Sequence, residues 1–448
     1  LQRLAKAFFV TSFILLLSAL YYWGALGQLQ YVNTDMLSID QSVYMAYARK
    51  LYDSNYTFIG DRNQMPIYPV LQSLFYRSGM SDEQFFNRGK YVNLALSMVL
   101  LGALALILLH FFPPLHTLNL MLIVAFTVFV FKAGWFQCEL LYYFMSLCLF
   151  VLLSGLLEKP SYPLAILTGI VAGLAHLTKA SVLPAVVLFL LWAGGQWAWT
   201  LLRNLSRAKP VPASDSATPH LCVALLVGLS FLATVFPYIK NSKRVYGQYF
   251  YNVNTTFYVW YDSWSECKEG TAAHGDRVGW PDMPPEEIPS MSKYLREHTP
   301  QHIVARFLIG GIAVLVVVVG SYGYFTYAMI YMALLAVAIR RHWGQTQGLL
   351  TANRTLITFW LAYFAAYVLL YAWVGVINPA NRYVLAHFMP LMFVLSRGLC
   401  ALLASSQVRV GRHTVNELMA VNLMILAVVA VDVCSVLARR AGSVFGGY

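Results

Sequence analysis

Charge is what this chain has least of. Asp, Glu, Lys and Arg make up 11% of its 448 residues, against about 25% in a typical soluble domain. Apolar residues fill 59%, more than a water-soluble core of this length can use. This scarcity excludes a soluble fold and points to an integral membrane protein. Short segments of alternating polarity are also lacking. The apolar runs are long and rich in Leu, which excludes a transmembrane β-barrel and leaves helices. The six cysteines, at 138, 148, 222, 267, 400 and 434, form no CxxC pair and no metal-ligand spacing. Cys267 stands alone in its loop, so no disulfide closes there. No internal repeat is visible, which disfavours transporters built from two equivalent halves. Nothing suggests a nucleic-acid partner.

An apolar run of roughly 20 residues crosses the hydrocarbon as a helix. Eleven such runs lie at about 7–27, 92–112, 118–133, 140–157, 163–178, 181–202, 220–239, 320–339, 352–374, 384–404 and 416–438. A twelfth, 303–319, reads as a further span or as a helix along the membrane surface. Basic residues favour the cytoplasmic face. With eleven spans and Arg3 and Lys6 inside, Arg203, Arg207, Lys209, Arg340, Arg341, Arg409 and Arg412 also fall inside, which is the reason to leave 303–319 out of the count. Arg439 and Arg440 fall outside, against the rule. Two long loops, 28–91 and 240–302, then face the non-cytoplasmic side. The expected fold is all-α: one polytopic membrane domain over 1–448, interfacial helices in both loops, and no separate soluble domain. The first run lacks a clear cleavage site and reads as a retained span. The net charge of +12 follows from the sided basic loops, which also suit anionic lipid.

The first loop concentrates polar residues that the rest of the chain avoids. In "NTDMLSIDQSVYMAYARKLY", Ser38 and Gln41 have the spacing of a capping box. Asp40 then sits in the first helical turn, where the helix dipole favours a carboxylate. Tyr44, Tyr47 and Leu51 form a face suited to the membrane interface. In "DRNQMPIYP", Pro66 and Pro69 bracket a rigid extended turn, Tyr68 reads as a headgroup anchor, and Arg62 suits a phosphate. The second loop is aromatic and Pro-rich, as the headgroup zone favours. The stretch 207–220 reads as a flexible linker.

Asp40 with Tyr44 four residues on, followed by "MPIYPVL", resembles the first external loop of the GT-C membrane glycosyltransferases, the fold of protein O-mannosyltransferases and lipid A aminoarabinose transferases. Where that family carries an acid pair, this chain has Gln41 after Asp40. Three further stretches are similar in family order: Glu139 before "LLYY", Lys179 in "LTKASVLP", and Arg382 in "NRYVLAHFMP". The resemblance covers residues 1 to about 200 and the late Arg-Tyr segment; the second long loop matches nothing in the family.

The resemblance implies an inverting hexosyl or pentosyl transfer from a polyprenyl- or dolichyl-phosphate donor to a hydroxyl of a lipid, glycan or protein acceptor. The reaction would take place at the periplasmic or lumenal face of a bacterial inner membrane or endoplasmic reticulum. Asp40 is the expected general base. Lys179, Arg382 and Arg62 are the expected phosphate ligands. Asp35, Tyr44, Tyr68 and Glu139 are expected near acceptor or sugar. No cofactor is assigned; Asp35, Asp40 and Glu139 are the oxygen ligands that a divalent cation would take. His176 and His387 read as helix-packing residues. The competing reading is a transporter or flippase of a lipid-linked or small solute. It is disfavoured because the charges gather at one face and mid-span acids are nearly absent apart from Asp432.

Overall fold

The computed structural model describes residues 2–58, 60–205, 218–274, 286–320, 324–410 and 413–445. Most of the 207–220 linker, the Pro-rich stretch at 275–285, and Arg207, Lys209 and Arg412 lie outside them. The described chain is almost entirely helical; its one sheet is an antiparallel pair, Gln407–Val410 with His413–Asn416. Among the described residues, nine helices are long and apolar enough to cross a membrane: Asp82–Phe111, Pro114–Lys132, Glu139–Glu158, Ala180–Arg203, Leu221–Tyr246, Pro300–Val319, Arg354–Val374, Asn381–Leu403 and Glu417–Arg439. Ser12–Gln28 and Tyr162–Thr178 are shorter apolar helices. This set fits a multi-pass integral membrane protein. The 303–319 run thus forms a helix with the length of a span, whereas the 320–339 run forms Tyr324–Arg341, which is not among the nine.

Helix ends follow local rules. Ser81 and Gln84 cap Asp82–Phe111 reciprocally. Pro114 and Pro300 open their helices in the first turn, where no backbone N–H is needed.

Contacts between helices define two ends of the bundle. Glu139–Glu158 and Asn381–Leu403 run side by side in one direction: Arg382 Nη1 lies 3.9 Å from Glu139 Oε1, and Arg397 Nη2 lies 2.8 Å from Glu158 Oε1. Arg354–Val374 runs the opposite way, with Trp360 Nε1 donating to Ser154 (2.8 Å) and Tyr367 OH donating to the Ser181 carbonyl (3.1 Å). Tyr324–Arg341 follows Asn381–Leu403: the Tyr324 ring stands 5.3 Å from Phe388, and Arg341 pairs with Glu417 at 2.6 Å. Pro300–Val319 packs by its middle against one end of Arg354–Val374. A Cβ on Gly310 would fall 2.0 Å from the Ala372 carbonyl oxygen, so only glycine permits this crossing.

Gly169 and Gly173 do the same for Tyr162–Thr178 against Thr218–Tyr246. A Cβ on Gly169 would lie 2.5 Å from the Val227 carbonyl oxygen, and one on Gly173 2.6 Å from the Thr234 side chain. Small residues four apart allow the close backbone approach on which helix association in lipid depends. Gly169→Ala is expected to destabilise the protein by about 1–3 kcal/mol through overpacking, read as a lower unfolding midpoint in detergent. An unchanged midpoint would contradict the packing.

The first loop departs from its expected local form in three places. Ser38 makes no side-chain cap; Gln41 Nε2 instead donates to the Asp35 carbonyl (3.0 Å), and Gln41 Oε1 accepts from Gln137 (3.2 Å). Pro66 and Pro69 do not hold an extended turn. Pro66 caps the helix Ile67–Ser73 and Pro69 sits in its first turn, a place where proline costs little. Tyr44, Tyr47 and Leu51 of the helix Ile39–Asp53 do not face lipid. They are buried, 5%, 2% and 1% exposed: Tyr68 of Ile67–Ser73 and Phe85 and Phe86 at the start of Asp82–Phe111 pack with Tyr44, and the Phe58 ring and the Gly60 N–H meet Tyr47. Tyr44, Tyr68, Phe85, Phe86 and Phe136 form a separate aromatic core there. In the second loop, Tyr251, Val253, Phe257 and Cys267 likewise form a small core with Ile377 instead of lying at the headgroups.

Candidate active site

At the end of the bundle marked by Arg382 lies a cavity of about 970 Å³. Six of the eight residues expected at the site line it: Asp40, Tyr44, Arg62, Glu139, Lys179 and Arg382. They come from separate parts of the chain. Asp40 is in the first turn of Ile39–Asp53, and Glu139 opens Glu139–Glu158. Lys179 follows Tyr162–Thr178 directly. Arg382 is in the first turn of Asn381–Leu403.

Arg382 Nη1 donates to Asp40 Oδ2 at 2.6 Å and stands 3.9 Å from Glu139 Oε1; Lys179 Nζ donates to Glu139 Oε1 at 3.3 Å. Glu139 is only 3% exposed, a burial that a carboxylate tolerates when cations flank it. Burial works against the charge on Lys179, yet the Glu139 carboxylate outweighs it and holds the ammonium above the ordinary lysine value. Burial pushes the Tyr44 phenol well up, with Cys138, Glu139 and Asp40 adding to it, so Tyr44 is a neutral hydroxyl. Two buried polar atoms of the cluster, Arg382 Nε and Glu139 Oε2, have no hydrogen-bond partner among the described residues. Counting the lining side chains, four cations (Arg62, Lys179, Lys268, Arg382) face two carboxylates (Asp40, Glu139), an excess that attracts an anionic ligand. Leu183, Pro184, Val187, Leu370 and Val374 supply an apolar wall.

The other two expected residues stand elsewhere. Asp35 is exposed and caps the Leu37 N–H with Oδ1 (2.9 Å), off the cavity. Tyr68 is fully buried, accepts from Gln72 Nε2 (2.9 Å) and packs edge-on against Tyr44, ring centroids 5.1 Å apart. It supports the site from behind. Because Asp35 is absent, the three carboxylates do not gather around a cation: Arg382 and Lys179 occupy the positions beside Asp40 and Glu139. Among the described residues, no three His, Cys, Asp or Glu side chains group as metal ligands.

The two long loops are stapled together across the cavity. Val253 N–H donates to the Arg62 carbonyl (2.9 Å), Asn252 Nδ2 to the Asn63 carbonyl (2.6 Å), and Asn254 Nδ2 to Asn63 Oδ1. A second set of contacts anchors the Tyr258–Asp262 wall. Asp262 Oδ1 accepts from Arg306 Nη1 (2.6 Å) and Tyr294 OH (2.7 Å), and Oδ2 faces His298 Nε2 (2.7 Å). Arg306 also donates to the carbonyls of Trp373 and Val259 (both 3.1 Å) and lies over the Trp373 ring, 4.3 Å from its centroid. Burial alone would raise the Asp262 carboxyl; the bonds from Tyr294 and His298 and the charge of Arg306 outweigh it and hold it below the usual carboxylate range.

The sequence reading missed several lining residues. Asn252, Asn254, Tyr258, Trp264 and Lys268 belong to the second loop, which has no family pattern to mark them. His176, expected only to pack, also lines the cavity. His387 does pack, bonded between Tyr363 OH (3.0 Å) and Tyr371 OH (2.9 Å).

Fold and site together define a multi-pass helical membrane protein with one charged, part-apolar cavity at one end of its bundle. Comparison with known proteins adds no family to this description: no family model, no curated protein and no solved structure matches the chain.

Proposed function

We propose that this protein is an inverting glycosyltransferase of the GT-C kind, moving a sugar from a polyprenyl-phosphate carrier to an acceptor hydroxyl. The observation that carries this reading is the meeting of Asp40, Glu139, Lys179 and Arg382, from four separate segments, in one cavity with an apolar wall. A lipid-linked phosphate sugar needs all of these: a surface for its chain, cations for its phosphate, and a base beside the anomeric carbon.

In the proposed step, the acceptor oxygen bonds to the anomeric carbon as the carbon–phosphate oxygen bond breaks. The acceptor proton passes to Asp40, and the electron pair leaves with the phosphate. One base and no carboxylate nucleophile give inversion. Lys179 and Arg382, which both line the cavity, stabilise the growing phosphate charge. Arg62 is a further ligand for the donor. Glu139 fixes Lys179, and Tyr44, whose O–H donates to Cys138 Sγ (3.1 Å), presents its oxygen as a neutral acceptor for a sugar hydroxyl. No step needs a metal.

The proposed topology has eleven crossings, with the cavity on the periplasmic or lumenal side. Asp40 and Arg382 meet, so an even number of crossings separates their loops. This parity holds if Pro300–Val319 does not cross. Its contact at Gly310 with the cavity end of Arg354–Val374, and the arrival of Tyr324 beside Phe388, support a helix embedded obliquely at that end.

The test is transfer by the purified protein in lipid, using a panel of radiolabelled polyprenyl-phosphate hexoses and pentoses. Transfer to an added acceptor, or slow hydrolysis to water, is expected for at least one donor, with inverted anomeric configuration. Binding of none of the donors by folded protein would overturn the reading and favour a transporter.

A further inference from the structure

The rim of the cavity carries a second set of groups, an indole and two amides, beside Lys268. The helix Trp264–His274 places Trp264 and Lys268 four residues apart, hence on one face, and both line the cavity. Trp264 remains 41% exposed, a large indole left open to solvent at a cavity mouth. Asn63 and Asn254, at the staple between the loops, line the same cavity. Their mutual bond uses Asn254 Nδ2 and Asn63 Oδ1. The Asn63 amide NH₂ and the Asn254 amide oxygen, donors and an acceptor from neighbouring side chains, make no hydrogen bond among the described residues.

Phosphate and polyprenyl chain have no use for this combination; the charged cluster and the apolar wall serve them. An open indole suits the C–H face of a sugar ring, as aromatic rings with a polar edge suit half-wet surfaces. A paired amide donor and acceptor suit adjacent ring hydroxyls. A peptide bound by strand addition would instead pair its main chain along a sheet edge. The one strand pair among the described residues, 407–416, adjoins Glu417 at the other end of the bundle.

We propose that Trp264, Asn63 and Asn254 form a binding subsite for a hydroxyl-rich glycan, which serves as the acceptor. The acceptor role rests on the glycosyltransferase reading; the binding does not. The experiment is saturation-transfer NMR on the full protein in lipid nanodiscs without donor. The probes are short malto-, cello- and chito-oligosaccharides and a Ser/Thr-rich peptide of similar mass. At least one oligosaccharide is expected to bind the wild type. Trp264→Ala and Asn254→Ala should each weaken that binding by roughly 3- to 10-fold, the size of one lost contact. Polyprenyl phosphate should bind all three proteins equally, which shows that the variants fold. The subsite is refuted if no oligosaccharide binds, if both variants bind as the wild type does, or if only the peptide binds. Glycan binding without transfer from any donor would sink the enzyme reading and leave the subsite standing. Transfer that is indifferent to both substitutions would do the reverse.

Discussion

Asp40→Asn is expected to reduce sugar transfer by roughly 100- to 10,000-fold, the usual contribution of a general base. The substitution keeps the shape of the side chain, and Asn Oδ1 can still accept from Arg382 Nη1, whose bond to Asp40 is 2.6 Å long. Donor binding should therefore survive while turnover does not. The informative control is Asp35→Asn. Asp35 is exposed, and among the described residues its carboxylate bonds only the Leu37 N–H of its own turn, so activity should change by about twofold or less, as for an ordinary surface substitution. Initial rates at saturating donor, with donor binding measured separately, decide the matter. Equal rates for wild type and Asp40→Asn would move the base elsewhere, and a large loss in Asp35→Asn would contradict the geometry.

Glu139 governs the second large effect, on stability. Its carboxylate is buried between Lys179 and Arg382. Glu139→Ala removes the common partner of two cations that remain in place. Breaking a buried pair in this way costs about 3–5 kcal/mol, much of the stability of an ordinary domain. Lys179→Ala should cost less, because Arg382 still faces Glu139. The double variant Glu139→Met with Lys179→Met should be more stable than the sum of the two single changes implies. Unfolding in a lipid-like detergent measures all of these. Among variants that fold, binding of polyprenyl phosphate separates the partners: Lys179→Ala weakens it, whereas Glu139→Gln does not, since the anion then meets fewer negative groups. Weaker binding in Glu139→Gln would place Glu139 against the ligand itself.

What could be read in the sequence divides along physical lines. The helices were legible because apolar runs of bilayer length have few other uses; most of the eleven expected spans correspond to observed long helices. Asp40, Glu139, Lys179 and Arg382 were legible as charges at the ends of apolar runs, where charge is costly and therefore informative. Their pairing was not, because it depends on which ends meet. Arg382 was expected to hold phosphate alone, yet it also bridges Asp40 and Glu139. The first loop misled for a different reason. A face of Tyr44, Tyr47 and Leu51 looks the same whether it meets lipid or other protein; the segments that fold over it, Phe58, Gly60, Ile67–Ser73 and the start of Asp82–Phe111, decide it. Trp264 and Asn254 gave no sign of a site, since one indole among many aromatics and one amide in an Asn-Thr-Thr triplet are unremarkable until a cavity wall is assembled around them.

The staple between the loops sets an order of assembly. Asn63 and Asn252 are 189 residues apart, and the helices from Asp82 to Tyr246 intervene. As the chain emerges during synthesis, the segment bearing Asp40 and Arg62 leaves the membrane long before its partner exists. It must wait, held first by Tyr44, Tyr68 and Phe85 and then, two helices later, by Phe136, which completes their aromatic core. The cavity closes only when residues 252–254 arrive, and Arg382 is added later still. The four charged groups Asp40, Glu139, Lys179 and Arg382 therefore stand together only once synthesis has passed residue 382.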